Sequence, residues 1–309
     1  MLIRHILYAV FFCCVLTSCH AGQGGEASDA DSLVVVFTGD VMLDRGVRPW
    51  AETKGVAWLF EYATPLFRQA DAAVVNLECP LTDTVAPLSK RFVFRADTRW
   101  AKDMRKAGVT HAALANNHTN DQGLQGFAST VRSLRQAGVR PVGCVRAGEK
   151  PVPTLIRKGS LCVAVFNAVL FHLENWTPDG SREYIPWQTD IGTLCRTVSE
   201  YSSAHPSHRV VCVLHWGVEY DDSPNQEQVM GARMLASAGA STVVGHHPHV
   251  IQPMRMEGGI PVAYSLGNFV FDSRNPLARR TQAVRLVVRA DTLYMRPVDF
   301  CVRQCRPVQ

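Results

Sequence analysis

Short apolar runs that end abruptly in polar residues constrain this chain more than any other feature. They cover residues 33–37, 72–76, 112–114, 161–166, 210–214, 242–244, 262–265 and 283–288, and most are rich in Val and Ala. A continuous apolar run of this length, bounded by turn residues, reads as a β-strand covered on both faces. Between the runs, residues 98–107, 127–137 and 227–238 carry apolar side chains at helical spacing. These stretches stop near Gly108, Gly138 and Gly239, as helix C-termini often do. The alternation predicts an α/β architecture built on a substantial sheet.

Six of the strands end in residues that can do chemistry. The first runs into Asp40 and on to Asp44, the second into Glu78, and the third into Asn116-Asn117-His118. Later strands end in His215, in Gly245-His246-His247-Pro248-His249, and in Gly267-Asn268. Loops at the C-terminal ends of strands are where α/β proteins place ligands. Carboxylate, amide and imidazole together form an oxygen and nitrogen set suited to Mn, Fe, Zn or Mg. Carboxylates can also bridge two cations. Each residue has a plainer reading alone: Asp40 as a helix cap, Glu78 as a solvated carboxylate, His215 as a packed core histidine, Asn117 as a turn residue. The repetition of strand followed by polar loop argues for a shared site. Three imidazoles within His246–His249 argue the same. His111, which opens an apolar strand, reads as packed or half-exposed and carries no functional assignment.

With 309 residues, 47% of them hydrophobic, the chain can bury one large core. No internal repeat is visible, so residues 33–309 read as one domain. Residues 176–190, rich in Pro, Gly, Trp and charge, read as a surface excursion. A net charge of +5 with only 19% charged residues, and no Lys/Arg run interleaved with aromatics, excludes the electrostatic footprint of a nucleic-acid binder.

Residues 1–19 read as an export signal. Arg4 supplies the positive end, and residues 6–16 form an apolar stretch too short to span a membrane as a mature helix. Leu16-Thr17-Ser18-Cys19 resembles a bacterial lipoprotein box, in which Cys19 is lipidated and anchors the protein to a membrane. Cleavage after Ala21 and an uncleaved anchor are the alternatives. Residues 20–32, small and glycine-rich, suit a flexible tether. Of ten cysteines, seven lie beyond this region. Seven cannot form a closed disulfide framework. Cys162 and Cys212 read as buried thiols, and Cys301 with Cys305 is a candidate pair in an oxidising compartment.

The polar motifs, in order, resemble the bacterial capsule-synthesis family of the CapA type, associated with poly-γ-glutamate, within the calcineurin-like metallophosphoesterase superfamily. The resemblance is carried by Gly39–Leu43, Asn76–Glu78, Phe94-Arg95-Ala96, Leu114–His118, His215-Trp216-Gly217, Gly245–His249 and Tyr264–Phe269. It implies a four-layer α-β-β-α sandwich with a metal site at the strand ends. It implies Asp40, Glu78, Asn117, His215, His247 and His249 as metal ligands, with Glu78 bridging and His246 an alternative to His247. His118 would face the substrate as the catalytic group. Asn116, His246, Asn268 and Arg95 would contact substrate. Two departures stand out. The superfamily's opening Asp-x-His is Asp40-Val41-Met42 here, with Asp44 as a possible compensating acid, and the bridging acid is Glu rather than Asp.

The sequence therefore leads to an exported protein acting on an anionic cell-envelope polymer or its precursor. If it is a hydrolase, divalent metal activates a water and His118 assists the leaving group. The alternative is a non-catalytic component that binds such a polymer or a membrane synthase complex.

Overall fold

The computed structural model describes residues 31–176 and 184–309. The expected export signal, Cys19 and the tether up to residue 30 lie outside the described residues. Ser32–Gln309 form one compact unit. In chain order its strands are β1 Leu33–Val41, β2 Ala72–Leu77, β3 His111–Ala113, β4 Arg140–Val142, β5 Cys144–Arg146, β6 Thr154–Lys158, β7 Leu161–Val169 and β8 Tyr184–Pro186. They continue with β9 Arg209–His215, β10 Thr242–His246, β11 Ile251–Glu257, β12 Ile260–Leu266, β13 Asn268–Val270, β14 Arg280–Val288, β15 Leu293–Arg303 and β16 Arg306–Val308. The helices are α1 Arg48–Lys54, α2 Val56–Leu59, α3 Thr64–Arg68, α4 Trp100–Lys106, α5 Gly123–Gln136, α6 Ile191–Ala204 and α7 Gln226–Ser237.

Two sheets carry the molecule. One is ordered β16-β15-β14-β1-β2-β3-β4, with β13 also pairing to β1. Within it β1 to β4 are parallel, and β14 closes antiparallel on β1. The other is ordered β11-β12-β10-β9-β7-β6, parallel through β12, β10, β9 and β7.

The period-2 alternation of a strand explains how the sheets stack. In β1, Val35 and Phe37 pack toward the second sheet, against Val163, Val165, Val211, Val213 and Val244. The intervening Val36 faces the other way, into a core with Phe127, Val131 and Leu134 of α5 and with Trp100 and Met104 of α4. In β9, Val210, Cys212 and Leu214 face outward onto Leu194 and Val198 of α6 and Ala232 and Leu235 of α7. Helices, sheet, sheet and helices therefore form the expected four-layer α-β-β-α sandwich. All nine residues of β1 are buried because both its faces are covered.

One expectation needs correction, and one candidate pairing is not formed. Residues 176–190 are not simply a surface excursion: Tyr184–Pro186 pairs antiparallel with β5, and Trp187 is buried against Phe166. Asp190 then caps α6, accepting from Thr193 N–H at 2.9 Å. Cys301 and Cys305 are both free thiols, the first exposed and the second resting near the Gly46 carbonyl.

Candidate metal centre

The C-terminal ends of β1, β2 and β3 from one sheet meet those of β9 and β10 from the other. Two glycines allow this approach. A Cβ on Gly39 would lie 1.9 Å from the Gly267 carbonyl oxygen, and one on Gly245 would lie 2.0 Å from that of Tyr264. With Gly39 bare, Asp40 N–H donates to Gly267 O at 2.9 Å, and Asp40 sits in register with Asn268 of β13. After β10 the chain turns through His247 and His249, at φ +100° and +60°. Non-glycine residues rarely adopt this region, and the strain is of order 1–3 kcal/mol per residue. The turn is held by Trp216 N–H to His246 O and Tyr220 N–H to Pro248 O. It brings the rings of His247 and His249 to the same place.

There, Asp40, Glu78 and His215 present ligand atoms within 4.8 Å of one another, as do Glu78, His247 and His249. Glu78 belongs to both groups. Its Oε1 is 3.1 Å from His215 Nε2 and its Oε2 is 3.9 Å from His249 Nδ1. Asp40 Oδ2 is 3.2 Å from His249 Nδ1, and Asp40 Oδ1 accepts from Asn76 Nδ2 at 2.8 Å. Asn117 Oδ1 lies 3.0 Å from His215 Nε2, so the amide joins the cluster.

These residues fit divalent cations. Asp40 Oδ2 and both Glu78 carboxylate oxygens are buried without a hydrogen bond of good geometry, and their close neighbours are the rings of His249 and His215. A buried carboxylate left this way costs several kcal/mol unless a cation compensates it. Burial, reinforced by nearby Asp40, pushes the Glu78 carboxyl well above its ordinary pKa. Burial would raise Asp40 as well, but His249 beside it holds the carboxyl below the usual range. Burial, with His249 adding to it, lowers His247 to about 3, leaving a neutral imidazole of the kind metals bind. His215 is pushed far down by burial and by His247. Burial opposes protonation of His249 too, yet Glu78 and Asp40 outweigh it and raise His249 to about 9.

The remaining expected residues have other positions. His246 Nε2 is 2.9 Å from Thr38 O, tying β10 to β1, so the geometry brings His247 rather than His246 to Glu78. Asn268 Oδ1 lies 2.9 Å from His249 Nδ1 and orients that ring. Asn116 holds the loop from within: its Nδ2 donates to Leu77 O at 2.8 Å, and its Oδ1 accepts from His118 N–H at 3.1 Å. Asp44 does not replace the missing histidine. One oxygen accepts from Arg48 Nε at 2.9 Å and the other from Arg95 N–H at 2.7 Å. The Arg95 guanidinium lies against the Thr82 carbonyl, at 3.5 Å.

His118 stands outside the two ligand groups and forms a pair of its own. Its Nδ1 is 2.9 Å from Asp121 Oδ2, and its ring lies against Phe94 with centroids 4.1 Å apart. Asp121 also accepts from Phe94 N–H at 2.7 Å and from buried Lys90 at 2.6 Å. Burial lowers the His118 pKa, and Asp121 offsets part of that. Sequence reading missed Lys90 and Asp121 as members of the site. Asp121, three residues after His118, carried a faint signal; Lys90 carried none. A cleft of about 400 Å³ opens over this pair, lined by His118, His249, Phe94, Tyr220, Arg45 and Arg274 among others.

Comparison with known proteins agrees with this architecture. Among solved structures, the chain resembles the NAD nucleotidase of Haemophilus influenzae, with TM-score 0.52 and 9% identity, covering 88% of this chain and 50% of that one. It also resembles a putative 5'-nucleotidase from Staphylococcus aureus, with TM-score 0.51 and 13% identity, covering 86% and 54%. These likenesses show a fold of the metallophosphoesterase type. In sequence it is 32% identical over 249 residues to the PGA biosynthesis protein CapA of Bacillus subtilis, covering 78% of this chain. It is 29% identical over 257 residues to the capsule biosynthesis protein CapA of Bacillus anthracis, again covering 78% of this chain. A probable polyglutamine synthesis accessory protein of Mycobacterium tuberculosis is 26% identical over 235 residues, covering 72% of this chain and 60% of that protein. The chain spans 64% and 60% of the length of the two Bacillus relatives. The model of the bacterial capsule synthesis protein family PGA_cap matches residues 34–273, which include every residue of the candidate metal centre, and the chain belongs to that family.

Proposed function

We propose that the protein works outside the cytoplasmic membrane, anchored through a lipidated Cys19, as a metal-dependent hydrolase of an anionic cell-envelope polymer or its precursor. The relatives' roles in capsule and poly-glutamate synthesis support the polymer context. One observation carries the chemistry: Glu78 is shared by two buried ligand groups beside the His118–Asp121 pair. Divalent cations bound there supply Lewis acidity and make a nucleophile of water near neutral pH. Asp40, Glu78, Asn117, His215, His247 and His249 are the residues that hold them. Asp121 accepts from His118 Nδ1–H, fixing the tautomer, so Nε2 is the nitrogen left to handle a proton at the cleft. As water adds and the scissile bond breaks, His118 delivers a proton to the leaving atom.

The test is metal analysis of the purified protein together with hydrolysis of bis(p-nitrophenyl) phosphate and of poly-γ-glutamate. Glu78→Gln and His247→Ala lose metal and turnover together. His118→Asn keeps its metal and loses about 10²–10⁴-fold in turnover. If all three variants match the wild type in both measurements, the reading is wrong. Anchoring is checked separately, by incorporation of labelled fatty acid that Cys19→Ala abolishes.

Met42 favours a second reading. It stands where the superfamily carries a ligand histidine, and it is fully buried, with its sulfur 3.0 Å from Asp44 N. With one ligand fewer, the centre would bind an anionic polymer, or a membrane synthase partner, without turning it over. Saturable polymer binding with no turnover under any divalent metal distinguishes this case.

A further inference from the structure

Arg45 lines the same cleft as His118 and His249, and its placement is unusual on three counts. Its backbone sits at φ +47°, a left-handed conformation that L side chains rarely take. Its guanidinium lies over two rings, 5.0 Å from the centroid of Phe94 and 5.5 Å from that of Phe271. Asp272 grips it along one edge: Oδ1 accepts from Nε at 3.1 Å and also takes the ion pair to Nη2. Gly46 N–H donates to the same carboxylate at 2.9 Å, so Asp272 has little capacity left. Guanidinium carries five N–H donors in a rigid fork, and Nη1 makes no hydrogen bond to any described residue. A second arginine, Arg274, lines the same cleft, is exposed, and has neither hydrogen-bond nor ion-pair partner among the described residues.

Strain is kept where it serves a site, and here it aims a pre-oriented cation. A lysine could not reproduce this, because the two-point grip of Asp272 needs a planar fork. The geometry points to Arg45, with Arg274, as the determinant that selects a substrate bearing an anionic group beside the scissile bond. The group is a carboxylate or a phosphate oxyanion, each matching the unused edge of the fork. Phe92, half-exposed at the rim of the cleft, is the apolar surface available to the uncharged part of the repeating unit. This inference rests on the cleft being the substrate site of the proposed function, but it requires no turnover.

The experiment is calorimetric titration of the full chain, stripped of metal, with tetra-γ-glutamate and with inorganic tripolyphosphate. At least one probe binds saturably to the wild type, and the stronger binder identifies the anion. Arg274→Met and Arg45→Asn each weaken that binding about tenfold or more, the loss expected for one charge-assisted hydrogen bond. Asn is chosen because it tolerates the left-handed backbone, and unchanged metal uptake by both variants shows an intact centre. No saturable binding by the wild type, or wild-type affinity in both variants, overturns the inference. Failure of hydrolysis with binding intact sinks only the catalytic reading. Turnover intact with both variants unaffected sinks only this one.

Discussion

Glu78 Oε1 lies 3.1 Å from His215 Nε2, although the first residue follows β2 in one sheet and the second ends β9 in the other. This contact closes the sandwich at its functional edge. It also joins two groups that cannot be comfortable there without a cation, since neither Glu78 oxygen has a hydrogen bond of good geometry.

Glu78→Gln separates fold from metal. Burial already favours the neutral carboxyl, which Gln mimics in shape. Metal-free Glu78→Gln should therefore match or exceed the thermal stability of metal-free wild type at pH 8. Added divalent cation should stabilise the wild type alone, by about 2.7 kcal/mol at a hundred times the dissociation constant. Differential scanning calorimetry with and without chelator checks both. A Gln variant that unfolds at room temperature would instead make Glu78 a structural residue.

Lys90→Met should be among the most damaging changes outside the ligand set. The Lys90–Asp121 pair is nearly fully buried at 2.6 Å, and Lys90 also reaches the Asn117 carbonyl. Removing the ammonium strands a buried carboxylate, a loss of about 3–5 kcal/mol. Urea unfolding measures it. Lys90→Met with Asp121→Asn should recover part of the loss, because no charge is then left unpaired.

Gly39→Ala should break the junction between the sheets. Its Cβ would lie 1.9 Å from Gly267 O, so the backbone must move. The expected cost is about 3 kcal/mol or more, toward the upper end for overpacking. Metal affinity should fall with it, because Asp40 is the next residue. A stable, metal-replete Gly39→Ala protein would show that the strand ends tolerate separation.

His111 should give the protein an acid-sensitive limb. Burial, with Arg140 and Arg105 nearby, lowers its pKa to about 4 from an ordinary 6.5. The folded state thus binds a proton less readily than the unfolded one. The contribution is fully present above pH 6.5 and is lost as pH falls from there toward 4. Between pH 7 and 5 the loss is about 2 kcal/mol. His111→Gln should flatten the stability profile over that interval by the same amount; a parallel profile would rule His111 out as its source.

All eight runs read as strands are strands. The reason is local: when both faces of a strand are covered, nearly every residue is apolar and the run is visible without context. Edge elements were hidden for the opposite reason. In β11 five of seven residues are partly or fully exposed, and in β15 ten of eleven, so their composition looks like loop. Helix α6 buries only Leu194 and Val198. The expectation that residues 176–190 are surface excursion failed because Trp187, read as loop, packs on Phe166.

The chain alone determined which residues gather: a strand of this composition must be buried, and a polar residue at its end must lie at the sheet edge. Asp40, Glu78, Asn117, His215, His247 and His249 were legible on that ground and through the family resemblance. Tertiary structure decided what each does there. It turned Asp44 toward Arg48, tied His246 to the β1 backbone, and set Lys90 behind Asp121. It also placed a strained Arg45 over the cleft. Such roles depend on which atom of one loop meets which atom of another, and hydrogen bonds between residues 27–31 positions apart, such as those from Lys90 to its partners, leave no periodic trace in sequence.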